Sequence, residues 1–129
     1  DLLDHVRWPQ HRGRLADATH VHFVRHPICG DHVRLQLWID CSGDDARVAE
    51  AWFDGHGCLV SQAAASILCE TIEGRRVADL HALTPDAFLA TLGTPLTPAR
   101  RGCAILAWQA LHAILASIPD ESAPAASAA

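Results

Sequence analysis

Three consecutive blocks of period-two alternation, each closed by turn residues, occupy the stretch from Thr19 to Gly57, and no such block recurs later in the chain. In the first, Val21 and Phe23 share one face and His20 and His22 the other, up to the His26-Pro27 turn. In the second, Val33, Leu35, Leu37 and Ile39 alternate with Arg34, Gln36, Trp38 and Asp40, and Ser42-Gly43-Asp44-Asp45 then turns the chain. The third runs from Arg47 to Phe53 and ends at Asp54-Gly55-His56-Gly57. Three strands with short connections predict an antiparallel meander, one face of which needs a cover.

The remaining sequence supplies that cover. Val60 to Ile72 is rich in Ala, Leu and Ile and stops at Gly74, which predicts a helix with a glycine end. Arg76 to Leu83 reads as a weaker helical turn. Thr84-Pro85 is an N-cap followed by Pro at the first helical position, opening a helix to about Leu92. The longest helix is expected from about Ala99 to Ile118, its apolar face built from Ile105, Leu106, Trp108, Leu111, Ile114 and Leu115. Leu2 to Trp8 adds a short N-terminal helix that stops at Pro9. The expected fold is therefore α+β: a three-stranded antiparallel meander packed on several C-terminal helices. One domain is expected over residues 1–118, followed by a disordered Ala/Ser/Pro tail over 119–129.

Composition narrows the function. Ten arginines against fifteen carboxylates leave a net charge of -5, the wrong sign for coating nucleic acid. Every apolar run is interrupted before the roughly 20 residues of a membrane span, and no signal peptide is expected. Five cysteines, an odd number, fit a disulfide framework badly, so reduced thiols in a cytoplasmic setting are expected. Half of the residues are hydrophobic, enough for a core without staples.

The thiols raise the question of metal chemistry. Cys29 sits in the turn Pro27-Ile28-Cys29-Gly30-Asp31, Cys58 just ahead of a predicted helix, and Cys103 beside Arg100 and Arg101 in the first turns of another. Helix N-termini and nearby cations favour thiolates. Asp31 can add an oxygen, and three thiolates with one carboxylate make a four-coordinate site for zinc or an iron–sulfur cluster. Cys69, inside an apolar helical run, reads as core packing, and Cys41 as an incidental turn-edge thiol. No CxxC pair is present, so spacing alone leaves the matter open.

Local context goes further. Pro27-Ile28-Cys29-Gly30-Asp31, the run Gly57-Cys58-Leu59-Val60-Ser61-Gln62-Ala63-Ala64-Ala65-Ser66 and the segment from Arg100 through Cys103 to Leu111 resemble, in order, the three cysteine segments of the NifU/IscU/SufU family of cluster assembly scaffolds. The resemblance implies an α+β scaffold that builds a cluster on Cys29, Cys58 and Cys103 with Asp31 as the oxygen ligand. It implies a [2Fe-2S] cluster ahead of a [4Fe-4S] one, sulfur from a cysteine desulfurase, and delivery to apo-proteins by a carrier rather than a turnover enzyme. The alternative it carries is a SufU-like zinc-dependent sulfur acceptor, and a closed structural zinc module ranks below both.

The departures are specific. His26 stands where the family usually has Asn, and Gly102 where IscU and NifU members carry a His before the third cysteine. The 44 residues between Cys58 and Cys103 leave no room for the SufU insertion. Leu96 to Arg100 only partly resembles the family's chaperone-docking segment. His26, His32 and His56 are close enough in sequence to Cys29 or Cys58 to replace the missing imidazole. Arg100 can hold an incoming anionic persulfide or cluster. His5, His11, His20, His22, His81 and His112 read as surface residues.

Overall fold

A computed structural model describes residues 2–7, 11–27, 30–43 and 45–118. The expected tail, residues 119–129, lies outside the described residues. Helix α1 (Leu2–Arg7) precedes strands β1 (His20–Arg25), β2 (His32–Asp40) and β3 (Arg47–His56). Helices α2 (Leu59–Ile72), α3 (Val77–Leu80), α4 (Pro85–Ala90), α5 (Pro98–Ala104) and α6 (Leu106–Ala116) follow.

The strands form the expected antiparallel meander, in the order β1-β2-β3. Val33, Leu35, Leu37 and Ile39 of β2 all point into the core, as their spacing predicts, and meet Val48, Ala51 and Phe53 of β3. Positions 48 and 51 have opposite parity, yet both are buried, because a register shift sets Trp38 opposite Glu50 and Ile39 opposite Val48. One extra residue on β3 restores the inward face on both sides of the irregularity.

The outer sheet face is partly covered from the N-terminal side. Residues 11–19 cross it, and the Gln36 amide fixes them by donating to Gly13 O and accepting from Leu15 N–H, each at 2.9 Å. The same segment lines the free edge of β3, where Gly13 N–H donates to Phe53 O and Phe53 N–H to His11 O. Val21 and Phe23 of β1 remain 52% and 53% exposed on this face.

Helix α2 is buried on nearly every side, which explains its small residues: Ala63, Ala64 and Ala65 let the sheet and the other helices approach closely. His5 and His11, expected at the surface, are tied inward instead. His5 is 8% exposed with Nδ1 at 2.6 Å from Ser66 Oγ of α2, and His11 Nδ1 donates to Ala51 O at 2.9 Å.

The single long helix expected from Ala99 to Ile118 is two helices. The division falls at Ile105, which keeps right-handed helical angles (φ -81°, ψ -10°) and still donates to Arg101 O at 3.0 Å, and α2 is the longest of the described helices. The two pieces differ in their partners: α5 packs on α2, and α6 packs on α2 and across β1 and β2. The N-cap at Thr84 is as expected, its hydroxyl accepting from Ala87 N–H at 3.1 Å.

Gly55 sets the route from β3 toward α2. Its φ is +150°, and a Cβ there would fall 2.2 Å from His32 O in the neighbouring strand. Gly55→Ala is expected to destabilise the protein by about 3 kcal/mol, through overpacking and backbone strain together. Gly43→Ala, where a Cβ meets open space, is expected to stay within about 0.5 kcal/mol of the parent. Urea denaturation of the two variants checks the contrast.

Candidate metal centre

The β1–β2 connection is a tight loop closed on itself. His26 N–H donates to Asp31 O at 2.7 Å and Gly30 N–H to His26 O at 3.1 Å. Gly30, at φ +78°, takes the left-handed conformation that the bend needs. Cys29 lies outside the described residues, in the sequence between these two closing bonds. Asp31 leaves the loop immediately ahead of β2.

The end of β3 meets this loop because His32 pairs with His56, so the residues flanking that pair come side by side. Gly57 is the contact point. A Cβ on it would lie 2.7 Å from Asp31 Cγ and 2.8 Å from Ser61 Oγ, so only a bare Cα admits the carboxylate. Asp31 Oδ2 then accepts the Cys58 N–H at 3.1 Å.

Cys58 is itself the N-cap of α2. Its Sγ accepts the Ser61 N–H at 3.4 Å, and Ser61 Oγ donates to Cys58 O at 2.9 Å. The N-terminal end of a fourteen-residue helix therefore faces this sulfur, as its sequence position predicts. Cys103 lies in the second turn of α5, as expected, but that helix is only seven residues long and Cys103 is its penultimate residue.

Asp31, Cys58 and Cys103 offer one ligand atom each, and all three atoms lie within 4.8 Å of one another. Two sulfurs bound to one metal at about 2.3 Å stand at most about 4.6 Å apart, so small side-chain movements suffice to close the group on an ion. Two soft sulfurs with one carboxylate suit zinc or iron. Cys58 is exposed, while Asp31 and Cys103 are half-buried, so the group opens to solvent.

The other candidates fall as follows. His26 is half-buried with its ring against Gly102, one residue from Cys103. His56 is exposed, its ring centroid 6.2 Å from that of His32, which lies 5.1 Å from Phe23. Arg100 is an exposed residue in the first turn of α5, where Thr97 Oγ1 accepts its backbone N–H. Cys41 is exposed on the turn after β2, and Cys69 is fully buried, where loss of hydration pushes its thiol far up and keeps it protonated. What the sequence did not show is the room these glycines leave, Gly57 for the Asp31 carboxylate and Gly102 for the His26 ring.

Comparison with known proteins gives a consistent picture. The family model described as the NifU-like N terminal domain matches residues 1–123. The iron-sulfur cluster assembly scaffold protein IscU of Thermotoga maritima is 33% identical over 133 residues, covering 91% of this chain and 91% of that protein. The zinc-dependent sulfurtransferase SufU of Bacillus subtilis is 31% identical over 128 residues, covering 86% of this chain and 84% of that protein. In fold, the crystal structure of a NifU-like protein (N-terminal) from Brucella abortus superposes with a TM-score of 0.68 at 19% identity, over 93% of this chain and 92% of that one. No helix of the described residues is long and apolar enough to cross a membrane.

Cys58→Ser and Cys103→Ser are each expected to lower Zn²⁺ affinity by at least about tenfold, and Cys29→Ser likewise. Cys41→Ser and Cys69→Ala should leave it unchanged. Titration against a chromophoric chelator reads all five variants, and equal affinity throughout would remove the site.

Proposed function

The chain belongs to the family of the NifU-like N-terminal domain, and on that premise we propose that it is an iron–sulfur cluster assembly scaffold whose cargo is held by Cys29, Asp31, Cys58 and Cys103. The observation that carries this reading is the open group formed by Asp31, Cys58 and Cys103, with ligand atoms within 4.8 Å of one another. Four protein ligands complete the shells of two irons bridged by two sulfides, so a [2Fe-2S] cluster is the matching cargo.

Sulfur arrives on the persulfide of a cysteine desulfurase. The exposed Cys58 thiolate attacks the terminal sulfur of that persulfide; a new S–S bond forms on Cys58, the old one breaks, and the donor cysteine leaves as thiolate. Each sulfur then takes two electrons from a separate reductant to become sulfide. The chain is a carrier in this scheme, and apo-proteins that need clusters are its recipients. A cytoplasmic setting belongs to the same reading, because the site needs reduced thiols.

A second reading has support of its own, since a relative 31% identical to this chain is named a zinc-dependent sulfurtransferase. There the same four residues hold Zn²⁺ as resident metal, and the chain accepts sulfur without building a cluster. Anaerobic reconstitution with ferrous iron and sulfide separates the two. Acid-labile sulfide with a visible charge-transfer spectrum is expected, and zinc without cluster after reconstitution overturns the scaffold reading.

Asp31→Ala gives the two readings opposite signs. In a scaffold it should retain the cluster and slow its transfer to apo-ferredoxin, because the variant removes the weak oxygen ligand and no thiolate. For a resident zinc it should weaken binding by about tenfold or more, because a closed four-ligand shell loses a member. Transfer rate and zinc affinity, measured on the same preparation, decide between them. No change in either makes Asp31 a turn-former only.

A further inference from the structure

The two edges of the sheet are finished differently. The far edge of β3 is closed at both ends. Gly13 N–H donates to Phe53 O at 2.8 Å and Phe53 N–H to His11 O at 2.9 Å; Val48 N–H donates to Arg75 O at 3.0 Å and Gly74 N–H to Val48 O at 2.7 Å. Strand β1 is the other edge, since it pairs with β2 alone. Among the described residues no backbone hydrogen bond is made to its free side.

The usual protections of an edge are missing as well. Bulges, prolines, lysines and inward-pointing charges keep foreign strands away. Strand β1 runs without a bulge from His20 opposite Leu37 to Arg25 opposite His32, and its sequence His-Val-His-Phe-Val-Arg has one formal charge, at the last position. Val21 and Phe23 stand half-exposed on one face, whereas Val24 on the other packs against the core.

We propose that this edge is a dimer interface, β1 of one copy pairing antiparallel with β1 of a second copy to make one six-stranded sheet. A second copy is selected because the strand fits itself. A two-fold axis perpendicular to the sheet keeps the two outer faces on one side, so residues of equal parity pair. With His22 on the axis, Val21 lies opposite Phe23 of the second copy, and Phe23 opposite its Val21. Four exposed apolar side chains then form one stripe, aromatic against β-branched, a pairing that stabilises sheets.

Charge agrees at the ends. Arg25 falls opposite Thr19 of the second copy, two residues from its Asp17. Both Arg25 and Asp17 are exposed, and neither makes an ion pair within its own chain. A diagonal neighbour of this kind is within reach of a long side chain. The loop that carries Asp31 follows Arg25, so antiparallel pairing sets the two metal groups at opposite ends of the shared strands.

Sedimentation equilibrium on the intact chain tests the interface between about 10 µM and 1 mM, a range suited to so small a contact. Reductant and chelator are present, so that neither the exposed Cys41 and Cys58 nor a bridging metal holds copies together. A reversible dimer is expected, with isotope-filtered NOEs between the Val21 methyls of one copy and the Phe23 ring of the other. Phe23→Lys, at a half-exposed position, is expected to raise the dimer dissociation constant at least about tenfold. Should that variant misfold, the NOEs in the unsubstituted protein still decide. A chain that stays monomeric throughout overturns the proposal, as does a dimer that lacks these contacts or that a folded Phe23→Lys leaves intact. Val21 and Phe23 resonances of a monomer that shift only when a desulfurase or apo-ferredoxin is added give the edge to that partner, and they too overturn the second copy as its occupant.

Discussion

One hydrogen bond organises the business end of this molecule: the Asp31 carboxylate accepting the backbone N–H of Cys58 across a glycine that has no side chain to obstruct it. It joins the loop after β1 to the N-cap of α2, two pieces 27 residues apart in sequence. The bond can form only in the observed register, where His32 faces His56. A slip of one residue would turn every inward side chain of β2 outward and carry Asp31 past Gly57. The apolar alternation of Val33, Leu35, Leu37 and Ile39 thus fixes the position of a carboxylate that has no part in the core.

That dependence explains why the functional end was legible in outline. Alternation over Val33 to Ile39 gave β2, and the turn residues after it gave the meander. The Gly-Cys step ahead of an Ala-rich helix placed Cys58 at an N-terminus, where the structure has it. Local signals of this kind are set by a few neighbouring residues, so they survive folding unchanged.

What the sequence concealed depends on distant partners. The segment from Ala99 to Ile118 has a continuous helical pattern, and nothing near Ile105 announces the division there, with α5 on α2 and α6 also across the sheet. His5 reads as an exposed residue of a short helix until Ser66, 61 positions away, supplies its hydrogen bond. Gly102 is a further case, because the ring that a Cβ there would meet belongs to His26, in the loop after β1.

The two glycines beside the ligands do related work by different means. Gly57 lets a carboxylate lie against the chain, where one of its oxygens accepts the Cys58 N–H. Gly102 leaves room for the His26 ring beside the α5 backbone. A centre that must release its cargo cannot hold it by thiolates alone, since soft ligands bind the soft cluster core too firmly. Nor can it be closed by bulky neighbours, which would bar the recipient. A bare Cα at Gly57 serves both conditions: it brings the Asp31 carboxylate close to the sulfurs of Cys58 and Cys103 and leaves the outward side, at exposed Cys58, open.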